Sequence, residues 1–279
     1  MITFIQKHNQ TPLKITASTH KLLKICTLAL TSQNTYKSKK APKTLVKIPL
    51  EQYMELCGMP LTASSKDYAR KKVKKDLQVL FHISLEWNGP KGFSKMRLCG
   101  GVGIKNNIIM FDFYPPLARH LINAYVMQYP LDILKIDERN QYAYYVAEKL
   151  ALHYSIDNNY LHSTHNIISF QALLEAIPGL PSYEEVAAKD RHIDLRIISP
   201  VQNALDSLDF ITWYPCNKRK QPLTKEQLQN FDYHTFINTY VCFEILGYPE
   251  EKRQKRLESK KQKIEKAKSK KQKFISGKG

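Results

Sequence analysis

Lysine and arginine gather in two places along the chain, 64–75 and 248–279, with side chains able to neutralise phosphate, and a third segment, 191–203, carries further hydrogen-bond donors. Segment 64–75, SSKDYARKKVKK, carries Lys66, Arg70, Lys71, Lys72, Lys74 and Lys75 against a single acid, Asp67. Segment 191–203 carries Arg191, His192, Arg196 and Asn203, whose guanidinium, imidazole and amide groups suit phosphate oxygens or base edges. A competing structural reading pairs Arg196 with Asp190 or Asp194. Residues 248–279 hold thirteen Lys and Arg against four acids and almost no apolar residues, so they form a basic extension that cannot bury a core. As a functional element it is an arm that releases counterions from phosphates; the plainer reading is a solubilising tail. Further candidates are Lys91, Lys95 and Lys105 around two strand turns, and Lys218 and Arg219 in the basic loop CNKRKQ.

Catalytic alternatives lack the spacings they need. A rolling-circle nickase holds its metal with two histidines flanking one residue, and no His-X-His occurs; HSTH, with His162 and His165, is the nearest pair. GGVGIKNN lacks the Gly-Lys-Ser/Thr of a phosphate-binding loop, so Gly100, Gly101 and Gly103 read as a strand bend. RHIDLR places His192 and Arg196 four apart, where a tyrosine recombinase has them three apart, although tyrosines such as Tyr240 follow. The five cysteines, at 26, 57, 99, 216 and 242, show no CxxC spacing and read as small buried thiols in a reducing compartment, with neither zinc nor disulfides. The reading is a non-enzymatic protein with no cofactor and no metal.

The surrounding chain must position the basic clusters. It has 279 residues, close to the length at which single cores stop growing, which points to two domains. At 43% hydrophobic and 24% charged it excludes a wholly disordered chain. No apolar run approaches the ~18–20 residues of a membrane span. The start, MITFIQKHNQ, lacks the features of a secretion signal, so the expectation is a cytoplasmic protein. The net charge of +18 favours a polyanionic partner, nucleic acid or an anionic membrane surface.

Periodicity supplies the elements. Leu22, Ile25, Cys26, Ala29 and Leu30 recur at helical spacing between Ser18 and Gln33. The short strand TLVKI follows, then a helix punctuated by Pro49 and Gly58. A third helix spans about Ser65 to Phe81, with Ala69, Val73, Leu77 and Leu80 inward and Arg70, Lys71, Lys74 and Lys75 mostly on the opposite arc. Strands ISLEW, FSKMRLCGGVGI (bent or bulged at Gly100 and Gly101) and IIMFDFY are joined by the turns NGPKG and KNN. This is the order of a winged helix, a helix-turn-helix with a hairpin after it.

After a connector helix, PPLARHLINAYVMQYP, the order begins again roughly 120 residues on. DERNQYAYYVAEKLALHYSI reads as a long helix. Ser169 caps the next, and Ser182 with Glu185 forms a capping box. Ile193, Ile197, Val201, Leu205 and Leu208 keep helical spacing across Pro200, which favours one kinked helix over a break with Ser199 as cap. The strand ITWYP and a last apolar stretch, YHTFINTYVCFEIL, close the pattern. The expected fold is α+β: two tandem winged-helix domains, 1–130 and 131–247, followed by the basic tail 248–279.

The stretch RHIDLRIISPVQNALDSLDFITWYP, followed by a basic loop and YVCFEI, resembles the second winged-helix domain of plasmid replication initiators of the Rep_3 type. In that family an arginine-bearing helix runs through a proline and ends before a strand-forming wing, and Arg196 matches the arginine before the proline. HKLLKICTLAL through the basic helix and hairpin is similar, more weakly, to the family's first winged helix. The resemblance implies sequence-specific binding of double-stranded DNA at origin repeats, melting of nearby AT-rich DNA, and recruitment of a host initiator and replicative helicase. It also implies a homodimer formed through the first domain that represses the protein's own gene. The competing expectations are a two-module regulator without origin activity, a recombinase, and attachment of the tail to a membrane surface.

Overall fold

A computed structural model describes residues 3–5, 15–34, 42–89, 92–123, 128–156, 164–189, 192–224, 226–227, 232–248 and 258. The fold is mixed α+β, in two compact units. One comprises Met1–Met127 and Leu131–Tyr145; the other comprises Gln128–Pro130 and the chain from Val146 onward.

In the first unit, α1 (Ala17–Gln33) starts where the Thr16 hydroxyl accepts the Thr19 N–H, and it buries Leu22, Ile25, Cys26 and Leu30. Strand β2 (Leu45–Pro49) alternates exposed and buried positions, with Val46 and Ile48 inward. Pro49 has an extended ψ of 137° and hands the chain directly to α2 (Leu50–Leu56), since a missing N–H costs nothing at a helix start. Thr62 caps α3 (Ala63–Phe81), whose buried face carries Ala69, Val73, Leu77 and Leu80 as the periodicity predicts.

The strands that follow differ from the expectation in one respect. The single bent strand read from FSKMRLCGGVGI is two strands in two sheets, because the chain changes sheet at Leu98. There β4 (Gly92–Arg97) pairs with β3 (Ser84–Gly89), whereas β5 (Cys99–Lys105) pairs with β6 (Ile108–Phe113). Leu98 is buried at the corner, donating to the Ile83 carbonyl at 3.1 Å and accepting from the Tyr114 N–H at 3.3 Å. The bulge expected at the glycines is present between Cys99 and Gly101. With β1 (Thr3–Ile5), the antiparallel sheet orders are β1-β3-β4 and β2-β6-β5. The β5–β6 turn places Asn106 and Asn107 at φ 50° and 58°, the left-handed pair that a two-residue hairpin turn requires and that asparagine tolerates. Helices α4 (Pro115–Asn123), α5 (Asp132–Lys135) and α6 (Gln141–Ser155) lead onward.

The second unit shares part of this plan. Strand β7 (Ile167–Ser169) runs straight into α7 (Phe170–Leu174), capped by Ser169. Helix α8 (Tyr183–Ala187) opens with the full Ser182–Glu185 capping box. A π-helical turn, Asp194–Ile198, continues into α9 (Ser199–Asp206). Strand β8 (Ile211–Cys216), α10 (Tyr233–Ile237) and β9 (Tyr240–Ile245) complete it, and the antiparallel sheet order is β7-β9-β8. The last apolar stretch is therefore a helical turn and then a strand. Its core stacks Phe170 on Phe236 at 4.2 Å.

In both units a short strand enters a helix and the last strand lies between the other two of its sheet. The first unit adds the β3–β4 hairpin between α3 and β5, and the second adds α8 before the π turn and α10 between β8 and β9. The joint is the same at backbone level. Leu50 N–H donates to Asn107 O at 2.8 Å, and Phe170 N–H donates to Thr239 O at 3.0 Å. In each case the first residue of the helix bonds the residue just before the last strand.

Candidate nucleic-acid interface

The α3 surface divides its cations into engaged and free. Lys66 pairs with Glu51 at 2.5 Å. Arg70 is held between Asp67 at 2.7 Å and the Asn107 amide oxygen at 2.8 Å, which ties the helix to the tip of the β5–β6 hairpin. Lys72 pairs with Glu138, and burial pulls its ammonium below the usual lysine range. Lys71, Lys74 and Lys75 are exposed and make no ion pair among the described residues. Tyr68 stands with them on the outer arc, three residues before Lys71 and seven before Lys75, and is largely exposed. An open cleft of about 840 Å³ runs along this flank, with Tyr68, Lys71, Lys75 and Arg139 on its walls.

A polar anchor that the sequence reading missed holds α3 in place. Asp76 is buried and accepts hydrogen bonds from the hydroxyls of Ser18 and Thr19, the latter at 2.7 Å. It lies three residues after Val73 and seven after Ala69, in phase with the apolar face, and that phase was the available signal. A second tie runs from α1 to the 131–145 segment. His20 Nδ1 meets the Tyr144 hydroxyl at 2.7 Å, and the buried Lys21 donates to the Ile136 carbonyl. Desolvation lowers the Lys21 pKa, opposed by the nearby Cys57 and Asp137.

The remaining first-unit candidates separate. Lys91 lies outside the described residues. Lys95 sits on β4, pairing across the strands with Glu86 at 2.9 Å, whereas Lys105 ends β5 in the other sheet. The structure therefore divides these lysines between two hairpins.

In the second unit His192, Arg196 and Asn203 are all exposed along the helical stretch 192–206; Arg191 lies outside the described residues. Arg196 makes no ion pair with Asp194, whose carboxylate instead accepts the Ser199 hydroxyl at 3.3 Å; Asp190 is not among the described residues. The backbone remains helical through Ile198 and Ser199, so the stretch is one helix, not two. The accommodation is the π turn. Ser199 N–H bonds to the Asp194 carbonyl, five residues back, and the widened turn lies immediately before Pro200, whose ring would crowd the Arg196 carbonyl in a regular α-helix. Lys218 and Arg219 form the exposed tip of the turn after β8. The Asn217 side chain accepts both the Arg219 and Gln221 N–H groups there, and Lys220 adopts φ 65°. Lys220 itself reaches the Asn166 side chain at 2.7 Å.

Among the described residues, no three His, Cys, Asp or Glu side chains converge as a metal site requires. His162 is outside the described residues, and His165 packs edge-on against Tyr154 at 5.1 Å. All five cysteines are buried free thiols. Among the described residues no helix is long and apolar enough to cross a membrane.

No family model matches the chain, and no curated protein does. Among solved structures it is similar to a crystal structure of domains 2 and 3 of RctB, at 11% identity over 88% of this chain and 86% of that one, with a TM-score of 0.44. A selenomethionine-derivative crystal structure of the same two domains gives 9% identity, the same coverage and a TM-score of 0.42.

Proposed function

We propose that the protein is a non-enzymatic, sequence-specific binder of double-stranded DNA that initiates replication of a plasmid or similar element from origin repeats, in the cytoplasm. In this reading each unit is a winged helix, with α3 and the 192–206 helix as the two groove-facing helices. One observation carries it: in each unit a strand enters a helix through the same backbone joint and the last strand is central in a three-stranded antiparallel sheet, and basic side chains without an ion pair among the described residues face solvent, Lys71, Lys74 and Lys75 on α3 and Arg196 just before α9. B-DNA's major groove, ~12 Å wide, admits one such helix. The resemblance of residues 191–215 to Rep_3-type initiators supports origin binding as the purpose. It also supports a host initiator and replicative helicase as partners and a homodimer through the first unit.

The test is binding of the full chain to duplex DNA from beside its own gene, against a scrambled duplex of equal composition, at near-physiological salt. A preference of ~10³-fold or more is expected for specific readout. A plasmid carrying only the gene and its flanking DNA should then replicate; binding without replication would make the protein an operator-binding regulator instead. Equal binding to both duplexes would overturn the DNA-reading assignment.

A further inference from the structure

The two most exposed large hydrophobic side chains among the described residues are Leu195, at 64%, and Tyr68, at 61%. Each lies on the long helix of its unit: Tyr68 is the sixth residue of α3, and Leu195 lies in the π turn that precedes α9. Neither supports the core, which is built from Ala69, Val73, Leu77 and Leu80 in one unit and from Ile197, Ile198, Val201 and Leu205 in the other. Each apolar group is set among polar ones. Tyr68 shares its arc with Lys71 and Lys75, while the neighbouring Asp67 is taken up by Arg70. Leu195 lies between Asp194, whose carboxylate accepts the Ser199 hydroxyl, and the exposed Arg196.

Resting on the DNA-reading assignment above, we propose that Leu195 and Tyr68 are specificity-determining contacts that pack against thymine methyl groups in the major groove. The C5-methyl of thymine is the one apolar feature that a base pair displays in that groove, and apolar side chains pack on it. Residues near the N-terminus of a groove-bound helix are those that reach base edges, and both side chains are so placed. Lys71, Lys74 and Lys75 on α3 and Arg196 beside Leu195 favour a polyanionic occupant, and the exposed apolar groups then recover from a base methyl the burial that the fold does not provide.

The experiment selects preferred duplexes from a randomised pool with the full chain. It then remakes the enriched duplex with deoxyuridine in place of one thymine at a time, which removes only the methyl. The expected result is about fourfold weaker binding at particular positions, the effect of exposing one methyl-sized group. Leu195→Ala and Tyr68→Ala should each weaken the thymine duplex by a similar factor and become indifferent to uracil at one of those positions. Since both side chains are exposed, each variant should keep the wild-type unfolding midpoint. The assignment is overturned if the wild-type protein is indifferent to uracil everywhere, or if both variants keep full methyl dependence while sequence preference survives. A pool that yields no preferred sequence overturns it together with the reading it rests on.

Discussion

Ion pairing sorts the lysines of the first unit into those able to neutralise DNA phosphates and those already neutralised. Lys71, Lys74 and Lys75 are exposed and without an ion pair among the described residues, whereas Lys66 has Glu51 at 2.5 Å and Lys95 has Glu86 at 2.9 Å. Each phosphate neutralised contributes about 0.9 to the slope of log K against log salt. Replacing all three free lysines by alanine should therefore lower the slope by about 2.7 if each meets a phosphate. Between 50 and 200 mM salt that corresponds to about fortyfold less loss of affinity. Removing a neutral pair, as in Glu51→Ala with Lys66→Ala or Glu86→Ala with Lys95→Ala, should leave the slope unchanged. The assay is fluorescence anisotropy on a fixed non-cognate duplex, so that base readout does not enter. If the neutral-pair deletions flatten the slope as much as the triple variant does, ion pairing is no guide to which lysines face DNA and the α3 assignment fails.

The other predictions concern readout, packing and the thiols. Arg196→Ala should lose about 1–3 kcal/mol of discrimination while affinity for scrambled duplex changes little; intact discrimination would move the readout away from the 192–206 helix. Asp76→Ala leaves the buried hydroxyls of Ser18 and Thr19 without their acceptor, so urea denaturation should show a loss of about 2–4 kcal/mol. A loss below about 0.5 kcal/mol, the range of an ordinary surface change, would deny the anchor its role. Burial pushes the Cys99 and Cys216 thiols from 9.0 up to about 11. The reactive thiolate is thus scarcer at pH 8 and recovers only as pH rises towards that value, and alkylation should be about a hundredfold slower than for a free thiol on ionisation alone. All five cysteines should react readily in denaturant, and fast native alkylation of any two would contradict their burial.

Local chemistry made much of this architecture legible. Thr16, Thr62 and Asp232 aside, the caps and starts at Pro49, Ser169 and Ser182 were readable because each rests on contacts within a few residues. The entry of a short strand into a helix in each unit followed from those boundaries. The change of sheet at Leu98 was not readable, since a strand alternates in the same way whether its neighbours lie in one sheet or two, and only pairing with Ile83 and Tyr114 decides. Strand β1 is three residues long, too short for any periodicity. The candidate site divides along the same line. Which residues are cationic is local, but which cations are free is not: the Glu138 that engages Lys72 lies far along the chain, and so does the Asn107 that holds Arg70.

The stretch across Pro200 is the single helix that the apolar spacing favours, and the structure adds how the proline is accommodated. Unbroken apolar spacing favoured one helix, and proline favoured a kink or a break. Both pressures are met by a single widened turn: the apolar side chains stay buried on either side, with Ile197 and Ile198 before the proline and Val201 and Leu205 after it, while the hydrogen bond from Ser199 to Asp194 absorbs the misfit. A π turn costs hydrogen-bond quality and is kept where something is gained by it. Here it lies at the residues that carry Leu195 and Arg196, both exposed. The proline is therefore best understood as fixing the conformation of the segment that presents those two side chains, which joins the backbone irregularity to the proposed reading of DNA.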